Sequence, residues 1–156
     1  MADSYKKYLS KEKHEELLEE LENLRTKKRK EIAEKLEFAK SLGDLSENAE
    51  YHEARDEQAK VEERIMDIET TLKVAEIIKG KSSGIVIVGS KVTIHDEKKG
   101  EEKTWEIVGS EETDLSLGKI SNESPLGQKL LGTKVGDTIE IQIPKGKTGY
   151  KITKIH

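Results

Sequence analysis

Two carboxylates three positions apart, Asp44 and Glu47, stand in the stretch Gly43-Asp44-Leu45-Ser46-Glu47-Asn48-Ala49-Glu50-Tyr51, between two long charged segments. Carboxylates at that spacing have two uses. Asp-x-x-Glu is a capping box, in which Asp44 accepts from the backbone of a following helix and Glu47 reaches back, with Gly43 making the turn. Alternatively, the pair converges on one hard cation. Mg²⁺ takes few protein oxygens and keeps several waters, so one or two carboxylates plus a substrate phosphate suffice. No His/Asp/Glu cluster elsewhere completes an all-protein site, because His14, His52, His95 and His156 are scattered through the pattern. A lone exposed pair binds Mg²⁺ feebly, so this second use needs a partner that supplies the other ligands. On the residues alone both uses stay open.

The flanking segments must position the pair. Ser10 can cap a helix whose first turn carries Glu12 and Glu15, favourable at the positive end of the dipole. Leu17, Leu21 and Leu24 then step by four and three; the pattern lapses at Lys28 and resumes at Ile32, Leu36 and Ala39. After the apex, Ala54, Gln58, Val61, Ile65, Ile68, Leu72 and Ala75 form an a/d seam. A connection this short makes the two helices run antiparallel. Each has roughly 30 residues and a length of about 45 Å. The result is a slender hairpin with one narrow seam and the carboxylates at its tip. Arg25-Thr26-Lys27-Lys28-Arg29-Lys30 is the one basic run, and it coincides with the lapse in the seam. It reads either as a solvated face balanced by the Glu residues of the second helix or as a functional contact patch.

Composition shifts at Lys79-Gly80-Lys81-Ser82-Ser83-Gly84, where Gly80 suits a helix C-cap and Ser-Ser-Gly a linker. Short β-branched runs follow at Ile85–Val88, Lys91–Ile94, Thr104–Val108, Thr138–Ile143 and Tyr150–Ile155, with a weaker one at Gly118–Ile120. Ser124 as N-cap, Pro125 at the first helical position and Gly132 past the end mark one short helix. The expected organisation is α+β: an antiparallel helical coiled-coil hairpin over 1–79 and an antiparallel α+β domain over 80–156. Trp105 and Tyr150 are expected in the second core.

Of the 156 residues, 33% are hydrophobic and 38% charged, which suits one small core plus an extended helical part. Residues 1–80 hold 16 Lys/Arg against 21 Asp/Glu, and 81–156 hold 12 against 11, so neither half is basic enough to bind nucleic acid by itself. The absence of cysteine excludes disulfides, thiolate metal sites and cysteine nucleophiles. No apolar run approaches membrane-spanning length and the N-terminus has no apolar signal core, so a soluble cytoplasmic protein without a membrane partner is expected.

The chain resembles the Gre-type bacterial transcript cleavage factors, closest to the GreA branch. The resemblance rests on the apex from Gly43 to His52, on Ala54-Arg55 and Ile107-Val108-Gly109, and on Ile120-Ser121-Asn122-Glu123-Ser124-Pro125-Leu126-Gly127 with Leu131-Gly132. It implies an FKBP-like C-terminal domain and a partner, bacterial RNA polymerase, whose secondary channel admits the hairpin when the enzyme has backtracked. It further implies that Asp44 and Glu47 help hold a Mg²⁺ ion shared with the polymerase active centre and orient an attacking water, so that the nascent RNA is cut and a new 3′ end is left. No tightly bound cofactor is implied.

Arg55 resembles a basic position near the RNA 3′ end. Lys40 stands where relatives often carry Arg, and a lysine cannot make the planar bidentate phosphate contact. Gly43, Asn48 and Tyr51 are read as support for the apex, and the resemblance implies that Ser124, Pro125 and Leu126 lie in a loop that docks on a coiled coil at the rim of the channel, in the β′ subunit. Three other classes compete. An inhibitor built alike would carry an altered acidic apex, whereas Asp-x-x-Glu is intact here. A prolyl isomerase is suggested by the domain resemblance alone, and Trp105 and Tyr150 are few walls for its pocket. A coiled-coil scaffold would carry an unbroken seam.

Overall fold

The computed structural model describes residues 6–79 and 84–156. The described residues divide into two compact units, 14–74 and those before His14 with those from Ala75 onward. Among the described residues, no helix is long and apolar enough to cross a membrane.

The first unit is a helical hairpin. One arm comprises α1 (Lys11–Asn23), a π-helical turn (Leu24–Lys28) and α2 (Arg29–Ser41); the other is α3 (Ala49–Val74). Leu17, Leu21, Ile32 and Ala39 of the first arm are buried, as are Ala54, Val61, Ile65, Ile68 and Thr71 of the second. The π turn explains the lapse in the apolar pattern. Steps of four and three continued from Leu24 would carry Glu31, Lys35 and Phe38 inward. These three are exposed, and Ile32, Leu36 and Ala39, each one residue later, face inward instead. A π turn inserts one residue into an α-helix. Here that insertion restores the seam after Lys28.

Ion pairs flank this thin core and fix the antiparallel register. Arg64 forks onto Glu20 (2.7 and 2.9 Å) and Arg29 onto Glu62 (2.8 Å twice). Arg25 pairs with Glu69, while Glu57 receives both Lys28 (2.7 Å) and Lys35 (2.8 Å). Three cations of the basic run are therefore spent on carboxylates of α3. The hydrogen bonds from Lys28 and then Lys35 hold the Glu57 carboxyl down at about 2, from an ordinary 4.5.

In the second unit, β3 (Lys91–Asp96), β4 (Glu102–Val108), β5 (Lys119–Ser121), β6 (Thr138–Ile143) and β7 (Gly146–Ile155) form a sheet of order β5-β4-β3-β7-β6. The short helix α4 is Pro125–Leu130. The core comprises Val86, Val92, Ile94, Ile107, Ile120, Leu130, Ile139 and Ile152, with Trp105 and Tyr150 packed against it.

Four features differ from the sequence expectation. The sheet is not wholly antiparallel, since β5 runs parallel to β4. Ile85–Val88 is not a strand: Val86 is buried, but Ile85 and Ile87 are exposed, and the segment is fastened by Val86 N–H to Thr133 O (2.9 Å) and Gly132 N–H to Val86 O (2.9 Å). Helix α3 stops at Val74 because Ala75–Ile77 becomes strand β2, parallel to an unforeseen β1 at Lys7–Leu9.

The fourth follows from β1: the described residues before His14 belong with the second unit, so the 1–79/80–156 division is not the division by contacts. Ser10 N–H and Oγ–H donate to Glu112 (2.9 and 2.6 Å) and Lys7 pairs with Glu111 (3.1 Å). Gly109 lies so close to β1 that an added Cβ would sit 1.6 Å from Tyr8 O. The Gly80 cap and the Ser82-Ser83 linker lie outside the described residues.

The Glu57 pairs make the hairpin acid-sensitive with a defined sign. A carboxyl whose folded pKa is depressed stabilises fully above its unfolded value and loses that contribution as pH falls through the folded one. The window here runs from 4.5 down to about 2. Glu57→Gln is expected to lower the helical melting temperature at about pH 6, with the gap to wild type closing toward about pH 2. A gap that stays constant across a circular-dichroism pH series would contradict this assignment.

Candidate functional site

The apex is built by one amide side chain and one glycine. Helix α2 ends with Leu42 N–H donating to Ala39 O (3.2 Å) and Gly43 N–H to Lys40 O (3.3 Å). Gly43 then takes φ +91°, the left-handed conformation that a side chain disfavours. Asn48 does the remaining closure. Its Oδ1 accepts from Tyr51 N–H (3.1 Å), and its Nδ2 donates to Ala39 O (2.7 Å) and to Gly43 O (3.4 Å). A single residue thus caps α3, satisfies a terminal carbonyl of α2 and grips the turn between them.

This arrangement decides between the two uses of the carboxylates as far as capping goes. The N-cap of α3 is Asn48, not Asp44. The helix begins at Ala49, so Glu47 lies one residue before the cap and cannot act as the third residue of a capping box. Asp44 Oδ1 instead accepts from Ser46 N–H (3.3 Å) and Ser46 Oγ–H (2.8 Å), closing a small turn of its own. Glu47 makes no hydrogen bond or ion pair among the described residues. Both are exposed, so both carboxylates retain free oxygens at the tip.

The neighbours are placed as follows. Tyr51 is half-buried, its ring inclined at 67° to that of His52 with centroids 5.7 Å apart. His52 Nε2–H donates to Ser46 O (3.2 Å). Lys40, in the last turn of α2, and Arg55, on the second turn of α3, are exposed; Arg55 bonds Gln58 (2.9 Å) along its own helix. Leu42 and Leu45 expose apolar surface on the loop. Gly43, Asp44, Glu47, Asn48 and Tyr51 therefore meet at one tip, with Lys40 and Arg55 on the helices beside it.

Ser124, Pro125 and Leu126 belong to the other unit. Ser124 Oγ caps α4 by accepting from Gly127 N–H (3.0 Å), and exposed Pro125 occupies the first turn. Leu126 is half-buried against the core. Gly127 is required there by close approach, since an added Cβ would fall 2.1 Å from Ser121 O.

Sequence reasoning passed over Ser46 and His52. The signal for Ser46 is Asp-x-Ser, a pattern in which a carboxylate closes on the residue two ahead. His52 has no such signature, because its partner is a backbone carbonyl. Among the described residues no group of three or more His, Cys, Asp or Glu side chains could hold a metal ion, so a cation at the tip would need outside ligands.

Comparison with known proteins covers nearly the whole chain. The model of the N-terminal part of transcription elongation factors matches residues 7–77, and that of the C-terminal part of the GreA/GreB transcription elongation factors matches residues 81–156. Transcription elongation factor GreA of Alkaliphilus oremlandii is 52% identical over 89% of each chain. That of Clostridium botulinum strain Langeland is 48% identical over 100% of this chain and 99% of its own. Among solved structures, GreA factor homolog 1 of Thermus thermophilus is 31% identical over 97% of this chain and 99% of its own, with a TM-score of 0.44.

Asn48→Ala removes the cap and the bridge together and is expected to destabilise the helical unit by about 1–2 kcal/mol. Asp44→Ala removes only an exposed turn bond and is expected to cost less than about 0.5 kcal/mol. Urea titrations followed by circular dichroism compare them. Equal losses would restore Asp44 as the cap.

Proposed function

The chain belongs to the GreA/GreB family of transcription elongation factors, and from that membership we propose that it stimulates the intrinsic RNA cleavage of backtracked bacterial RNA polymerase. One observation carries the reading: Asp44 and Glu47 lie together on an exposed turn, and neither is consumed by capping. A factor that only braced a channel would have no need of free carboxylates at its tip.

The donor set fits a shared ion. Asp44 and Glu47 offer hard oxygens of the kind Mg²⁺ takes, and the rest of its shell is water or substrate phosphate. A Mg²⁺ ion held between these residues and the polymerase active centre would supply Lewis-acid stabilisation and a more acidic bound water. The chain's own contribution is delivery and orientation. The narrow antiparallel hairpin carries the tip through a pore, the secondary channel, that a globular domain cannot enter. Asn48 and Gly43 hold the loop so that the carboxylates arrive in one geometry. The free carboxylate oxygens accept hydrogen bonds from the attacking water and orient it toward the RNA phosphate, in the range of about 10²–10⁴-fold typical of such assistance. Lys40 and Arg55 stand beside the tip as cations for the RNA 3′ end.

The second unit docks on the channel rim, a coiled coil of the β′ subunit, through Ser124, Pro125 and Leu126. The pre-formed start of α4 makes a rigid docking surface. The factor is then an accessory to hydrolysis by polymerase and not itself an enzyme. The free carboxylates favour this reading over an inhibitor acting through the same channel.

In assays on backtracked complexes, Asp44→Ala and Glu47→Ala are each expected to reduce stimulated cleavage about a hundredfold or more while competing for polymerase as the wild type does. A folded double variant that cleaves normally would refute the catalytic role. Pro125→Asp is expected to act oppositely, weakening binding but cleaving normally at saturating factor; wild-type affinity in this folded variant would remove the docking surface.

A further inference from the structure

We propose that Ser46 is a positioning residue for Asp44, engaging one carboxylate oxygen so that the other is offered to the shared ion in a fixed direction; the proposal rests on the cleavage reading above. The geometry is a two-step relay from the helix to the carboxylate. His52, on the first turn of α3, donates Nε2–H to Ser46 O (3.2 Å). Ser46 in turn donates its N–H (3.3 Å) and its Oγ–H (2.8 Å) to the same atom, Asp44 Oδ1. Asp44 Oδ2 has no protein partner among the described residues. One oxygen is fully engaged and the other is left open.

This asymmetry matters for Mg²⁺ in particular. The ion demands a near-ideal octahedron and takes carboxylate oxygens singly. A freely rotating exposed aspartate offers either oxygen, or both at once, and must be ordered at the moment of binding. Pinning Oδ1 removes that ordering cost and disfavours the two-oxygen mode. The hydroxyl is the shorter of the two bonds, so its loss leaves only the long contact from the backbone N–H.

Two measurements test the proposal on the full-length protein. In the free factor, three-bond couplings to the Asp44 β-protons report its χ1. A single dominant rotamer is expected for wild type and Ser46→Thr, and averaged couplings for Ser46→Ala. In the complex, the MgCl₂ concentration for half-maximal cleavage is expected to rise about threefold to tenfold in Ser46→Ala, the scale of one exposed hydrogen bond, with the rate recovering at high Mg²⁺ and Ser46→Thr behaving as wild type. Unchanged couplings and an unchanged midpoint in Ser46→Ala, with Asp44→Asn inactive, would overturn the role of Ser46 and leave the cleavage reading standing. Full cleavage by Asp44→Asn would overturn that reading and this proposal with it.

Discussion

Asn48 holds the end of α2 and the start of α3 in one side chain, and the presentation of the tip depends on it. Its Oδ1 accepts from the Tyr51 N–H, and its Nδ2 donates to the carbonyls of Ala39 and Gly43. Helix ends leave unsatisfied carbonyls at one terminus and unsatisfied N–H groups at the other. Where two helices meet in a tight hairpin, both sets crowd together, and a side-chain amide serves both, since its NH₂ donates and its oxygen accepts. Using Asn48 for this work leaves Asp44 and Glu47 outside the closure. The chemistry proposed for them is available because the cap is elsewhere.

The arms that carry the tip obey a second constraint. A two-helix hairpin buries little apolar area per residue, so its register cannot rest on the seam alone. Forked Arg64–Glu20 and Arg29–Glu62 pairs, with Glu57 bridging Lys28 and Lys35, specify the alignment of the arms along their length. Such exposed pairs contribute modestly to stability. Their value lies in fixing register, since a slipped hairpin would place unlike residues at the turn. They also draw the basic run into the shaft: Arg25, Lys28 and Arg29 face carboxylates of α3.

The helical half was legible where periodicity is long. Leu17 and Leu21 on one arm, and Ala54, Val61, Ile65 and Ile68 on the other, are buried as their spacing demands. The π turn was present in the sequence as a one-residue offset between Leu24 and Ile32, visible as a lapse but not as a helical insertion. The helix start at Ser124-Pro125 was plain because two independent signals coincide there. The β1–β2 pair was not legible: three residues pairing in parallel across more than sixty positions leave no local pattern. Nor was the choice of cap. Asp44 and Asn48 are both good N-cap types, and which one serves depends on where α2 ends, a tertiary fact that no local signal contains.

The function proposed for the tip requires that Asp44 and Glu47 come within reach of the metal in the polymerase active centre. Replacing Mg²⁺ by Fe²⁺ in a backtracked complex and generating hydroxyl radicals at the iron measures this directly, since the radicals cut only nearby backbone. Cuts in the factor are expected to be confined to residues around 43–48 and to be lost when a competing ligand occupies the channel. Cuts in polymerase and RNA with none at the tip of the hairpin would contradict it.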